Sequence, residues 1–164
     1  MEMLLVRHGI AADAAPRHPD ALRPLTTRGR RRMQRAVAGL LALDLRCDRV
    51  LHSPWKRAAQ TAELLVPLAC GPIVACDRLA LPPDAALIEW LRKACRRDER
   101  LALVGHQPWM GELLALLATA SSAPGDGILV GKGGVAWLIG ECRPGGMQLR
   151  ALFPPRVLRL LGGG

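Results

Sequence analysis

The amino-acid sequence predicts an α/β fold, a three-layer α/β/α sandwich with a parallel-dominated central sheet. Short apolar runs over 4–6 and 101–104 are typical of strands that are buried on both faces of a parallel sheet. Segments in which apolar residues recur at helical spacing separate these runs. Because strands and helices alternate in this way, we expect helices on both faces of the sheet.

The first predicted helix follows the strand over 4–6 and a loop over 10–25. Thr26 or Thr27 can cap this helix, which extends over 28–43. Its apolar positions recur every three or four residues and are Met33, Ala36, Val37, Leu40 and Leu41. Its basic positions, Arg28, Arg30, Arg31, Arg32 and Arg35, mostly face away and are interpreted as a solvated helix face.

A second strand over 48–52 leads into a helix over 54–65. Serine is a favoured N-cap and proline a favoured first helical residue, so Ser53 and Pro54 are expected to start that helix. The later predicted elements are a weak strand over 70–75, a helix from an Asp84 cap to about 95, a strand over 101–104, a helix over 108–118, strands over 135–139 and 148–153, and a short basic carboxyl-terminal helix. No linker divides the chain, so we expect one domain over 1–164.

The composition restricts what the core can contain. The chain is 50% hydrophobic but only 3% aromatic, so the core must be built from aliphatic residues and methionine. The cysteines are odd in number and form no C-x-x-C pair, which argues against a disulfide framework and a zinc site. We expect all five to be small buried hydrophobes in a reducing compartment: Cys47, Cys70, Cys76, Cys95 and Cys142.

Charge and hydropathy indicate the compartment and the class of partner. The sequence shows no signal peptide and no apolar stretch long enough to cross a bilayer, so a cytoplasmic protein without a membrane partner is expected. The net charge of +9 favours anionic substrates or acidic partners. Nucleic acid is a less favoured partner, because most arginines are dispersed and few aromatic residues could stack on bases.

Polar side chains follow three of the predicted strands. Arg7 and His8 follow the first strand, Ser53 and Arg57 the second, and His106 a later one. The carboxyl ends of parallel strands lie at one edge of the sheet, where α/β proteins bind their ligands. Guanidinium groups and helix amino termini there would hold a dianion such as phosphate. The same positive charge disfavours the imidazolium and would keep His8 neutral and nucleophilic.

Three other basic residues have weaker interpretations. His18 lies in a polar loop and is expected to face solvent. His52 ends the second predicted strand and could line the pocket, although a packing role is favoured. Lys132, in a glycine-rich loop, is either a supporting cation or simply exposed.

An ordered set of motifs resembles the histidine phosphatase superfamily, whose signature is Arg-His-Gly at the end of the first strand. Within it, the chain looks like the small bacterial phosphohistidine phosphatases of the SixA type. The matching pieces are Leu5-Val6-Arg7-His8-Gly9, Arg23-Pro24-Leu25-Thr26 with Gly29, Ser53-Pro54 with Arg57-Ala58 and Gln60-Thr61, and Val104-Gly105-His106 with Pro108. They cover about two-thirds of the chain, and the resemblance implies a phosphoglycerate mutase-like fold.

The resemblance also implies roles for individual residues. His8 would be the nucleophile that becomes phosphorylated, while Arg7, Arg57 and His106 would hold the phosphoryl oxygens. Ser53 is counted with this phosphate-binding group, and Arg23 would be an auxiliary phosphate or substrate contact at the rim. We expect no cofactor and no metal, because arginines can supply the positive charge that phosphoryl transfer requires.

The general acid has no clear match in the sequence. The candidates are Asp77, Asp84 and Glu89, of which Asp84 is preferred, although a helix-capping role for Asp84 is at least as favoured. An imidazole leaves phosphorus more readily than an alkoxide does, so a weak or absent acid fits the hydrolysis of a phosphohistidine.

The function predicted from the sequence is hydrolysis of phosphohistidine on a protein such as a phosphotransfer domain. The compact chain has little room for the lid insertions by which related mutases enclose small phosphates. A broad-specificity phosphomonoesterase on the same scaffold is the second hypothesis. A third is a non-catalytic module that binds phospho-ligands or nucleic acid.

Overall fold

The computed structural model describes residues 1–14, 19–121 and 127–163. In that part of the chain, five α-helices surround one six-stranded sheet. His18 lies outside the described residues.

The sheet is mixed, with a parallel majority. Its strands are β1 (Glu2–Arg7), β2 (Arg49–His52), β3 (Ile73–Ala75), β4 (Arg100–Gly105), β5 (Val135–Gly140) and β6 (Met147–Phe153). They are arranged in the order β3-β2-β4-β1-β5-β6. The four strands from β3 to β1 pair in parallel, whereas β5 and β6 add an antiparallel hairpin beside β1. The predicted parallel-dominated sheet is therefore confirmed.

Helices cover both faces of this sheet. They are α1 (Thr27–Ala42), α2 (Lys56–Leu64), α3 (Ala85–Ala94), α4 (Trp109–Thr119) and α5 (Pro155–Leu161). Side chains of β1 alternate between the two faces, as the pleat of a strand requires. Met3 and Leu5 pack with α3 and α4, whereas Leu4 and Val6 pack with α1, α2 and α5. The three-layer sandwich follows from this alternation.

Two expected caps have different outcomes. Thr26 caps α1, because its Oγ1 accepts a hydrogen bond from the Gly29 amide at 2.9 Å. Ser53 does not cap α2, which begins two residues later than expected, at Lys56, with Trp55 in the N-cap position. The Ser53 hydroxyl lies 3.4 Å from the Trp55 amide and makes its shorter hydrogen bond, 2.9 Å, with His106. The Ser53 side chain therefore contacts His106 at the end of the neighbouring strand β4 rather than capping the helix that follows it.

The expectation that all five cysteines are buried is wrong for Cys70, which is exposed, and Cys95 is only partly buried. Cys70 follows a short 3₁₀ turn and precedes the edge strand β3, so no element covers it. All five are free thiols, and burial raises the pKa of Cys47 to about 12. Within the described residues, no helix is both long enough and apolar enough to cross a membrane.

Candidate active site

The register of β1 and β4 brings two histidines together. Arg7 lies opposite Gly105 in this parallel pair, so His8 and His106 are the next residues on adjacent strand ends. The His8 amide donates a hydrogen bond to the Gly105 carbonyl at 3.0 Å. The centroids of the two imidazole rings are 5.1 Å apart, and both side chains are buried.

Hydrogen bonds fix the tautomer of His8. Its Nδ1 lies 2.7 Å from the carbonyl oxygen of Gly9, which can only accept, so Nδ1 carries the proton. Its Nε2 then has a free lone pair and accepts a hydrogen bond from the Nε of Arg57 at 3.1 Å. The nitrogen that could attack an electrophile is therefore the one that faces a guanidinium.

Arg57 is held on three sides in the first turn of α2. Its guanidinium donates to the backbone oxygen of Asp20 at 2.7 Å and to the carboxylate of Asp20 at 2.9 Å. The ring of Trp55 lies below it, with its centroid 4.5 Å from the guanidinium carbon, in a cation–π contact. These contacts leave Arg57 only 4% exposed, with its Nε directed at His8.

A buried threonine ties α2 to the segment that follows His8. The Thr61 hydroxyl donates to the Arg57 carbonyl at 2.7 Å and accepts from the Gly9 amide at 3.1 Å. Close packing at Gly29 holds the next part of the segment, since a Cβ there would lie 2.0 Å from the carbonyl oxygen of Ile10. Thr61 therefore links the backbone next to His8 to the backbone of Arg57 through two hydrogen bonds.

His106 lies between a hydroxyl and two indole rings. Its Nε2 is 2.9 Å from the Ser53 hydroxyl, and the rings of Trp55 and Trp109 lie at 4.6 and 6.2 Å. Its buried Nδ1 has no hydrogen-bond partner within the described residues. Gly105 permits this packing, because a Cβ at that position would lie 2.0 Å from the Trp109 ring. His106 is therefore fixed in place while one of its ring nitrogens stays available.

Arg7 is anchored by the loop before β5. Its Nη1 donates to the Val130 carbonyl at 2.7 Å, while its buried Nε has no partner within the described residues. The Gly133 amide lies 3.1 Å from the carbonyl oxygens of both Arg7 and His8. The loop before β5 thus fixes the backbone of both residues and leaves the buried Nε of Arg7 without a partner among the described residues.

The electrostatics of the cluster favour neutral imidazoles. Burial, together with the charges of Arg57, Arg7 and Lys132, lowers the pKa of His8 to about 4 against the opposing effect of the hydrogen bond to the Gly9 carbonyl. Burial likewise lowers the pKa of His106 to about 3, with added repulsion from His8 and Arg57. Near neutral pH, His8 is therefore a neutral base with a lone pair in a positively charged setting.

Asp20 is the anion at this site, and sequence reasoning missed it. Its carboxylate accepts hydrogen bonds from Arg57 at 2.9 Å and from the Nε of Arg23 at 2.6 Å. Although burial acts in the opposite direction, the hydrogen bonds of these arginines lower the pKa of Asp20. Its oxygens occupy the kind of position that a phosphoryl oxygen would take on Arg57. The spacing of Asp20 and Arg23, three residues apart before Pro24, is the only sequence signal that could have indicated it.

Several predicted residues have other contacts. Asp84 caps α3, because its carboxylate accepts a hydrogen bond from the Leu87 amide at 2.7 Å. This contact agrees with the helix-capping interpretation. Glu89 pairs with Arg92 and Lys93 on the solvent side of α3.

Two predicted basic residues also have local contacts. Nδ1 of His52 lies 2.8 Å from the Ser53 carbonyl oxygen. Arg23 reaches the cluster through Asp20 and also donates to the Ala12 carbonyl at 2.8 Å.

A separate cavity of about 610 Å³ lies beside Met1, α3 and the turn between β5 and β6. Its apolar wall includes Ile88 and Cys142. Arginines at its rim, Arg92 and Arg143, are paired with glutamates. It shares no residue with the histidine cluster.

Sequence comparisons point to one family. Residues 3–80 match the model of the histidine phosphatase superfamily, branch 1. The chain is 40% identical over 121 residues to an uncharacterized protein of Picosynechococcus sp., covering 72% of this chain and 73% of that protein. It is 32% identical over 129 residues to the phosphohistidine phosphatase SixA of Escherichia coli K12, covering 76% and 78%.

Solved structures share the whole fold. The protein histidine phosphatase SixA complexed with tungstate superposes with a TM-score of 0.80 at 26% identity, over 96% of this chain and 99% of that one. The alpha-ribazole phosphatase of Shigella flexneri has a TM-score of 0.69 at 20% identity, over 94% and 97%, which is a likeness of fold alone. The predicted phosphoglycerate mutase-like fold is confirmed by these matches.

Proposed function

The chain belongs to the histidine phosphatase superfamily, and from this we propose that it hydrolyses phosphohistidine carried on another protein, through a phosphohistidine formed on His8. The observation that carries the proposal is the unprotonated Nε2 of His8. This nitrogen lies 3.1 Å from Nε of Arg57, while the Gly9 carbonyl oxygen lies 2.7 Å from Nδ1 on the other side of the ring. A neutral, oriented imidazole beside fixed positive charge is what a phosphoryl acceptor requires. We propose the whole chain, 1–164, as one catalytic unit.

In the first step, Nε2 of His8 attacks the phosphorus of the substrate. The bond from phosphorus to the substrate nitrogen breaks as the bond to Nε2 forms, and the leaving imidazole takes up a proton from solvent. Arg57 transfers its hydrogen bond from Nε2 to a phosphoryl oxygen, and Arg7 offers its unpaired Nε to another. No metal is required in this proposal, because the guanidinium groups neutralise the phosphoryl charge.

His106 would donate to a third phosphoryl oxygen. Its buried Nδ1 has no partner, so a proton on that nitrogen is available to the substrate. The Ser53 hydroxyl then donates to Nε2 at 2.9 Å and holds this tautomer. Ser53 is thus a positioning residue for His106.

In the second step, water attacks the phosphorus on His8. The new oxygen–phosphorus bond forms, the bond to Nε2 breaks, inorganic phosphate leaves with the proton of the water passing to phosphate or solvent, and His8 recovers its lone pair. Because the group that leaves in both steps is an imidazole, a dedicated acid is not essential. Asp84, the acid predicted from the sequence, would have to give up its cap on α3 to take part.

Two observations support a protein-borne substrate. Among the described residues, the connection from β1 to α1 at the His8 edge contains only the 3₁₀ turn Asp20–Leu22 and no inserted helix or strand. The Escherichia coli relative is named as a phosphohistidine phosphatase, and the tungstate complex is named as a protein histidine phosphatase. A cytoplasmic role in signal transduction is part of the same proposal, because phosphohistidine on proteins serves phosphotransfer.

Comparative turnover tests the proposal. We expect the wild-type protein to release phosphate from a phosphorylated histidine phosphotransfer domain far faster than from phosphoserine or p-nitrophenyl phosphate. His8→Ala should lose about 10³-fold or more in rate, whereas His52→Ala, a matched histidine at the end of β2, should stay close to wild type. Acid-labile label should be trapped on His8. A strong preference for the esters would instead identify a small-molecule phosphomonoesterase, and alpha-ribazole phosphatase shares this fold.

A further inference from the structure

Four arginines form a stripe along α1. Arg28, Arg31, Arg32 and Arg35 follow the spacing i, i+3, i+4, i+7, which places them on one face of a helix. They line a surface cleft of about 290 Å³ together with Thr27. Arg28, Arg31 and Arg35 are exposed, and Arg32 is half-buried. The helix therefore presents a continuous row of guanidinium groups.

Helix α5 extends this row with two further arginines. It lies so close to α1 that a Cβ at Gly39 would meet the Leu158 carbonyl oxygen at 2.0 Å. Arg159 lies near the α1 stripe: burial, followed by the charges of its arginine neighbours, lowers its pKa. Arg156 is exposed on the same helix. We call the six residues the arginine surface: Arg28, Arg31, Arg32, Arg35, Arg156 and Arg159.

Among the described residues, the arginine surface has no countercharge of its own. Several arginines elsewhere on the protein pair with carboxylates, as Arg49 does with Glu99 and Arg100 with Asp48, both at 2.8 Å. None of the six forms an ion pair with any described residue, and neither α1 nor α5 contains Asp or Glu. Arg28 even lies in the first turn of α1, where the helix dipole disfavours a cation. An arrangement that costs stability without an internal partner points to an external anion.

The arginine surface continues into the candidate active site. Arg32 and Arg159 share a small cleft with Gly9 and Lys132. Gly9 follows His8 directly, and the charge of Lys132 acts on the His8 imidazole. A macromolecule that inserts a phosphohistidine at His8 would therefore also cover the arginines.

We propose that the arginine surface is the docking site for an acidic face of the phosphohistidine-bearing protein, next to its modified histidine. This inference rests on the proposed function and names the surface character of the substrate. Electrostatic complementarity of this kind accelerates association and selects partners. A protein is favoured over nucleic acid because the surface adjoins the phosphoryl site and neither α1 nor α5 carries an aromatic side chain on which bases could stack.

A charge-reversal pair tests the docking site with a matched control. The test variant is Arg31→Glu with Arg35→Glu, and the control is Arg97→Glu with Arg150→Glu, two exposed arginines away from α1 and α5 that give the same change in net charge. The probes are an acidic phosphotransfer domain phosphorylated on histidine, and free phosphohistidine. We expect the test variant to lose about tenfold or more in kcat/KM on the phosphorylated domain. Its rate on free phosphohistidine should stay within about twofold of wild type, as should both rates of the control.

Equal losses in the two double variants on the phosphorylated domain would overturn the inference. If the wild-type protein hydrolyses neither probe, the proposed function fails, and equilibrium binding of the unphosphorylated domain decides the docking question separately. Weaker binding by the test variant alone then supports the docking site, and equal binding by both variants rejects it. Tighter wild-type binding to duplex DNA or to phosphatidylserine vesicles than to the domain also rejects it, since α5 exposes Val157 and Leu160 beside its arginines.

Discussion

The Nε of Arg57 donates its hydrogen to Nε2 of His8 across 3.1 Å, so the arginine occupies the position that an incoming phosphorus must approach. This contact keeps the imidazole in one orientation and keeps its proton on the far nitrogen. The same guanidinium becomes free to bind a phosphoryl oxygen once Nε2 bonds to phosphorus. Orientation before the reaction and charge stabilisation during it therefore depend on one side chain.

Replacing this side chain should be costly even when the charge is kept. We expect Arg57→Lys to lose about 10²- to 10³-fold in kcat, because an ammonium group cannot bond His8, Asp20 and a phosphoryl group in the fixed geometry of the guanidinium. Steady-state kinetics measures the loss. Arg78→Lys is the matched control, since Arg78 also lies over an indole, that of Trp90 at 5.7 Å, away from the cluster. Comparable losses in both variants would remove Arg57 from the mechanism.

Acid should destabilise the fold through the two buried histidines. The folded-state pKa values of His8 and His106, about 4 and about 3, lie below the ordinary value of 6.5, so between these values the unfolded chain binds more protons. The stability that this difference provides is complete above pH 6.5 and is lost as the pH falls towards 4 and then 3. For His8 alone the loss is about 3 kcal/mol. Urea unfolding as a function of pH measures it, and His8→Asn should flatten the slope.

The carboxylate of Asp20 should compete with anions for Arg57. We expect Asp20→Asn to bind tungstate or phosphate several-fold more tightly, because the substitution removes a negative charge next to the guanidinium while keeping an oxygen that can accept its hydrogen bond. Calorimetric titration measures the affinity. Asp13→Asn removes an exposed charge from the same loop and should leave the affinity unchanged. Weaker binding in Asp20→Asn would show that Asp20 holds the anion site together rather than occupying it.

Substitutions at Asp84 can distinguish a helix-capping role from a role in acid catalysis. Asparagine caps helices about as well as aspartate but cannot donate a carboxylic proton. We expect Asp84→Asn to retain both stability and turnover, and Asp84→Ala to lose about 1 kcal/mol of unfolding free energy with little change in turnover. Thermal unfolding and kinetics on the same samples measure both effects. Loss of turnover in Asp84→Asn would restore Asp84 as the general acid.

The glycine beneath His106 should tolerate no side chain. A Cβ at Gly105 would lie 2.0 Å from the Trp109 ring, so we expect Gly105→Ala to displace that ring, destabilise the fold by about 1–3 kcal/mol and lower activity through His106. Gly127→Ala is the control, because no atom of a described residue other than its chain neighbours lies within 4 Å of its Cβ position. Equal melting temperatures for the two variants would contradict this packing.

The parts of this site that follow strand ends could be predicted from the sequence, whereas contacts that cross loops could not. Arg7, His8 and His106 stand at the ends of apolar runs, and parallel pairing is enough to bring them to one edge. Asp20 reaches Arg57 from a loop 37 residues earlier, and hydrophobic periodicity carries no information about such a contact. Ser53 shows a second limit, because local propensity favours a cap, but the His106 imidazole from the neighbouring strand takes the hydroxyl.

The distance between the two imidazoles derives from the main chain. His8 and His106 occupy matching positions on neighbouring parallel strands, and their ring separation of 5.1 Å is close to the spacing of about 4.8 Å that hydrogen bonding imposes between strands. Side chains around the pair can therefore vary in size or polarity without altering the gap into which a phosphorus atom must fit. Divergence of the surrounding surface can then change which molecule is recognised while the reaction geometry stays constant.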